Sequence, residues 1–180
     1  MALLTIGYGS RPLDVFCELV GSWRPDFIVD VRSVPYSRFR PEYGRHLLAG
    51  HLARMSIRYA FLGHLLGGRP HDPVLYTDGY VDYQKVAASE PFVTGMARLQ
   101  DAEAKGISCM LMCSEEKPED CHRAKLIGEQ WVRGGFEIVH IDERGELLDQ
   151  ASVIERLTQG QRDLFPGKFL SRKPYRPIIE

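Results

Sequence analysis

Cysteine is scarce in this chain, four among 180 residues, and so few exclude a disulfide framework. Each one is instead a core residue, a metal ligand or a reactive thiol. No apolar run approaches the length that crosses a bilayer, and the opening "MALLTIGYGS" carries no basic leader, so a cytoplasmic protein with no membrane partner is expected. Neither sign of charge dominates: 23 Lys and Arg stand against 24 Asp and Glu, which removes the global positive field of a general nucleic-acid binder. The dinucleotide fingerprint is also missing, because "GYGS" lacks a third spaced glycine. Internal repeats and low-complexity segments are absent too.

What remains is an ordinary globular composition, 44% apolar and 26% charged, which supports one conventional core. A single α/β domain is expected over 1–160, followed by a basic, Pro-containing tail over 161–180. Charge is uneven locally. Between Arg24 and Arg58 lie seven arginines and two histidines against three acids, and the tail holds Arg162, Lys168, Arg172, Lys173 and Arg176 against two acids. Two anion-attracting regions follow, with solvated surface charge as the plainer account of the tail.

Hydrophobic patterning places strands at Leu3 to Gly7, 26–32, 57–63, 107–113 and 136–141. Helical spacing runs through "PLDVFCELV", from about Glu42 to Met55, from about Tyr83 to Ala104 with a break at Pro91, and through "LLDQASVIERLT". Two long loops, "SVPYSRFRPEYG" and "HLLGGRPHDPVLYTDGYVDY", are too rich in Pro, Gly and Ser for regular structure. Strands alternating with helices predict a Rossmann-like three-layer sandwich on a mostly parallel sheet of about five strands. In such sheets the ligand crevice lies beyond the carboxyl ends of the strands. That rule selects four turns: "GYGS", "RSVPYSR", "LGHLLGGRP" and "CSEEKPEDCHR".

The last turn joins a continuously apolar strand, "ISCMLMC", to a helical repeat. Pro118 suits a first helical position, which puts Cys121 in the opening turn on the inward face with Ala124, Gly128 and Trp131, and turns His122 to the opposite, polar side. Cys113, ending the strand, and Cys121 are expected to approach each other. A helix N-terminus favours a thiolate, whereas Glu115, Glu116, Glu119 and Asp120 oppose it. Cys113, Cys121, His122 and Glu115 are the catalytic candidates, with Cys113 expected to be the more reactive thiol; two simply buried cysteines are the competing reading. Zinc would accept the Cys and His ligands, but the short Cys pair is missing and no fourth ligand stands out, so no metal is expected.

Arg32, Ser33, Ser37 and Arg38 follow the second strand, where guanidinium and hydroxyl groups meet phosphate or carboxylate. Pairing of Arg32 with Asp30 or Glu115, to order the loop, is the alternative. In "GYGS", Gly7 lets backbone approach a ligand, with Tyr8 and Ser10 as polar contacts. Gly67 and Gly68 offer a tight turn and Arg69 an anion contact; Arg123 joins the same set.

Together "TIGYGS", "DVRSVPYSR", "LGGRP" and "LMCSEEKPEDCHR", in this order, resemble the bacterial and archaeal family called domain of unknown function 488. The resemblance covers about Leu3 to Ile141 and implies a Rossmann-like domain of uncharacterised activity, its motifs falling here on Gly7, Arg32, Ser33, Pro35, Ser37, Arg38, Gly67, Gly68, Cys113, Glu115, Pro118, Cys121, His122 and Arg123. This chain departs from it at Tyr8, where histidine is frequent in the family, and Tyr8 does not replace a histidine acid or base near neutral pH. The expected function is binding of a phosphorylated or otherwise anionic ligand, a nucleotide or nucleic-acid end, at the strand crests, with cysteine chemistry if the protein is an enzyme. The competing reading is a non-enzymatic module for nucleic acid or a protein partner. Substrate, reaction, cofactor and oligomeric state are not written in the sequence.

Overall fold

A computed structural model describes residues 2–159 and 169–177. Its elements run β1 (Leu3–Gly7), α1 (Leu13–Trp23), β2 (Phe27–Asp30), α2 (Arg45–Arg54), β3 (Arg58–Phe61), α3 (Gly63–Leu66), β4 (Tyr76–Thr77), β5 (Tyr80–Val81) and α4 (Tyr83–Ala87). They continue with α5 (Glu90–Ala104), β6 (Cys109–Cys113), a π-helical stretch Arg123–Gly128, α6 (Glu129–Arg133), β7 (Ile138–Ile141), β8 (Leu147–Asp149) and α7 (Gln150–Thr158). The main sheet has the order β3-β2-β6-β1-β7-β8. All its pairs are parallel except the edge pair of β7 with β8.

Alternation along the strands divides the apolar side chains between the two faces of this sheet. Met110 and Met112 of β6 join Ile6, Ile28, Phe16, Val20, Leu48 and Leu52. Leu111 and Cys113 join Val29, Phe92, Leu99, Leu126, Ile127 and Trp131. Helices α1 and α2 therefore cover one face, and α5, the π-helical stretch and α6 cover the other. The result is a mixed α/β fold with a central sheet and flanking helices. Among the described residues no helix is long and apolar enough to cross a membrane.

Several elements differ from the sequence reading, each for a local reason. The sheet has six strands, because "LLD" pairs antiparallel with β7 before α7 begins; Asp149 accepts a hydrogen bond from the Ser152 amide at 2.8 Å and so caps that helix. The helical pattern at 83–104 divides into α4 and α5, with Pro91 in the first turn of α5, where its missing N–H is harmless. The expected helix start at Pro118 is a single 3-10 turn over Pro118–Asp120, after which Cys121 is extended, with φ −111° and ψ 148°. Helical phasing counted from Pro118 thus fails at His122.

The described part of the tail is well anchored. The Tyr83 amide donates to Phe169 O at 3.2 Å, Ser171 N to Val81 O at 3.1 Å and Tyr175 N to Gly79 O at 2.9 Å. Arg162 and Lys168 lie outside the described residues.

Candidate functional site

Past the ends of β1, β2 and β6 the backbones stay paired: Tyr8 N donates to Cys113 O at 3.1 Å, Gly9 N to Ser114 O at 3.0 Å and Val31 N to Met112 O at 3.0 Å. The turns leaving these strands are thereby held side by side, as the crest rule for parallel sheets requires. They enclose a cavity of about 310 Å³. Tyr8, Arg32, Ser33, Gly68, Arg69, Cys113, Glu115 and His122 line it, and the tail closes it with Ser171, Arg172, Lys173 and Tyr175.

At its floor four donor groups converge. The sulfur, carboxylate and imidazole ligand atoms of Cys113, Glu115, Cys121 and His122 all lie within 4.8 Å of one another. Cys113 Sγ is 3.0 Å and Cys121 Sγ 3.4 Å from Glu115 Oε2. His122 Nδ1 is 3.8 Å from Cys113 Sγ and 3.7 Å from Cys121 Sγ. The opposite ring nitrogen, Nε2, is 3.1 Å from the carbonyl of Val31. A carbonyl only accepts, so Nε2 carries a hydrogen, and in the neutral form of the ring it is the Nδ1 lone pair that faces the sulfurs. His122 was expected on the polar side of a helix; it is 7% exposed, because the extended Cys121 swings the next residue inward.

Electrostatics bias the protons of this cluster. The hydrogen bond with Cys121, then burial and the neighbouring Cys121 and Glu115 charges, push the Cys113 thiol well above its ordinary value. That is opposite in direction to the activation a helix N-terminus would give. Burial opposes ionisation of Glu115, yet the Cys113 hydrogen bond and the His122 charge bring its carboxyl down to about 2. Burial likewise disfavours charge on His122, but Cys113 and Glu115 outweigh it and raise its pKa. An ionised Glu115 accepting from a protonated Cys113 is the resting arrangement.

The glycines of the motifs are steric necessities. A Cβ on Gly68 would sit 2.7 Å from His122 Cγ and Nδ1, and one on Gly7 would sit 1.7 Å from Glu115 O and 2.6 Å from Arg123 Nη1. Arg123 is fully buried and donates from Nη2 to Glu116 O at 2.8 Å. It does not line the cavity and braces the cysteine turn from behind.

Arg32 is bound to its own strand. Nη2 donates to Asp30 Oδ2 at 2.7 Å and to Tyr43 O at 2.8 Å, and Tyr59 Oη donates to the same Asp30 oxygen at 2.5 Å. The alternative reading of Arg32 as Asp30's partner is thus realised, while its Nη1 edge lies 3.5 Å from Tyr8 Oη. Tyr8 in turn stacks on Tyr43 with ring centroids 4.1 Å apart. Ser33 Oγ accepts from the Arg69 amide at 2.8 Å, joining the two loops. Ser10 donates to Glu116 at 3.0 Å, Ser37 Oγ accepts from Arg40 N at 3.1 Å and Arg38 is exposed. These three and Gly67 stand outside the cavity lining.

Sequence reasoning missed Tyr83, Arg172, Lys173 and Tyr175 as lining residues. Only the basic composition of the tail hinted at the last three. The family model described as domain of unknown function DUF488 matches residues 13–128. No curated protein and no solved structure matches the chain.

Proposed function

The chain belongs to the DUF488 family, and from that premise we propose that it is a cytoplasmic protein of Rossmann-like, three-layer build that binds a phosphorylated, anionic small ligand of nucleotide size in the cavity at the strand crests. The observation that carries this reading is the convergence of Arg69, Arg172, Lys173 and Arg32 with the rings of Tyr8, Tyr36, Tyr83 and Tyr175 around one cavity of about 310 Å³. Arg32 is paired with Asp30 at 2.7 Å and Arg172 with Asp120 at 3.4 Å, so Arg69 and Lys173 against Glu115 supply the surplus of positive charge for a phosphate. Arg69 adds a further reason: its Nε is buried and has no hydrogen-bond partner among the described residues, a state that an anionic oxygen relieves. The volume is near the lower end of small-molecule sites, which suits a mononucleotide or a nucleic-acid end rather than a duplex.

Cys113, Glu115, Cys121 and His122 lie beneath such a ligand and form the chemical centre of the reading. The arginine-rich segment gives the nucleic-acid module less support. Arg40 is paired with Glu42 at 2.7 Å, and Arg45 and Arg58 lie over Phe61 and Phe27.

Calorimetric titration with inorganic phosphate and with nucleoside monophosphates at low salt tests the proposal. Binding that weakens as salt rises is expected, as is about a 10-fold loss in Arg172→Ala, the equivalent of one charge-assisted hydrogen bond. No heat from any phosphate compound at millimolar concentration would contradict it.

A further inference from the structure

We propose that Cys113, Glu115, Cys121 and His122 together hold one zinc-type divalent ion at the floor of the cavity. The spacing in sequence shows no fourth ligand; the fold supplies it, because Glu115 is placed against both sulfurs. With zinc–sulfur bonds of about 2.3 Å and zinc–nitrogen or zinc–oxygen bonds of about 2.0–2.1 Å, a tetrahedral site has sulfur-to-nitrogen and sulfur-to-oxygen edges of about 3.5 Å. The corresponding separations here are 3.8 and 3.7 Å to Nδ1 and 3.0 and 3.4 Å to Oε2. Four of the six edges of such a tetrahedron are thus within about half an ångström of their expected length, and the remaining two are no longer than 4.8 Å.

The groups behind the donors point the same way. His122 gives its Nε2 hydrogen to Val31 O at 3.1 Å, which fixes the tautomer whose Nδ1 lone pair faces the sulfurs, the usual arrangement behind a metal-bound imidazole. Ser114 Oγ donates to Glu115 Oε2 at 3.1 Å and steadies the carboxylate. The Arg123 amide reaches Cys121 Sγ at 3.5 Å, a contact suited to a sulfur carrying negative charge. Mixed thiolate, imidazole and carboxylate donors select zinc over magnesium or calcium, which prefer oxygen alone. On binding, each thiol gives its proton to solvent, and no electron is transferred. Because Cys113, Glu115 and His122 also line the cavity, the ion borders whatever the cavity holds.

Metal analysis of the purified full chain, followed by cobalt titration of the metal-stripped protein, tests this without any phosphate ligand, so it fails or succeeds separately from the ligand reading. One ion per chain is expected, together with thiolate-to-cobalt charge-transfer absorption and d–d bands of tetrahedral strength. Cys121→Ser should lower the charge-transfer intensity by about half, one of two thiolate bonds being lost. It should also weaken zinc binding by more than the about 10- to 100-fold that loss of a partner behind a ligand produces. Glu115→Gln should keep the charge transfer and lose affinity. The Cys17→Ser, Cys109→Ser double variant should match the wild type. Absence of any charge-transfer band in wild-type protein whose circular dichroism shows it folded would overturn the proposal, as would a band that persists in the Cys113→Ser, Cys121→Ser double variant.

Discussion

Gly68 shows how much of the site is set by single residues. Its missing side chain is what lets the His122 ring lie against the turn, since a Cβ would come within 2.7 Å of Nδ1. Gly68→Ala is expected to destabilise by the about 1–3 kcal/mol of an overpacked core, and to disturb the contact of His122 with Val31. Gly50 is the internal control: it is exposed within α2, and a Cβ there meets nothing within 4 Å. Gly50→Ala should therefore stabilise by about 0.5–1 kcal/mol, from helix propensity alone. Urea unfolding of the two variants beside wild type checks both signs, and a destabilised Gly50→Ala or a neutral Gly68→Ala would count against the packing described.

At the scale of elements, the join of β7 to α7 carries a pH dependence of its own. His140, fully buried on β7, lies between Thr5 Oγ1 at 2.7 Å and Gln150 Oε1 at 2.8 Å. Burial, reinforced by the Arg123 charge, brings its pKa from 6.5 down to about 3. Between those two values the unfolded chain binds a proton that the folded chain does not, so folding stability is complete above about 6.5 and falls progressively as pH drops toward about 3. His140→Asn should flatten this slope between pH 7 and 5 even if it lowers stability throughout, which denaturant midpoints at each pH would show. An unchanged slope would mean that another group titrates there.

The elements also show what could be read beforehand. The parallel strands were legible, because apolar runs are local signals, whereas the second long loop holds the short elements α3, β4 and β5, which Gly and Pro punctuation concealed. The convergence of Cys113 with Cys121 was legible for the same reason. The burial of His122 was not, since it depends on Cys121 leaving the helix, and the backbone there is governed by long-range hydrogen bonds such as that from the imidazole to Val31 O. Nor was the bond between Arg32 and Asp30 selected over a ligand role: two residues apart on one face, they carry further bonds to Tyr43 O and Tyr59 Oη that come from distant segments.

Over the whole molecule, near-neutral charge conceals a directed distribution. The cavity receives Arg32 and Arg69 from two separate loops and Arg172 and Lys173 from the tail, segments more than a hundred residues apart that no window of sequence brings together. The tail is an integral wall because its backbone bonds to Val81 and Gly79 hold it there. This wall and the strand crests are the proposed anion site. A crystal structure of the full chain grown with phosphate tests it: phosphate density is expected within hydrogen-bond distance of the Arg69 and Arg172 guanidinium groups, above Cys113 and His122. Phosphate bound elsewhere, with only water in the cavity, would contradict it.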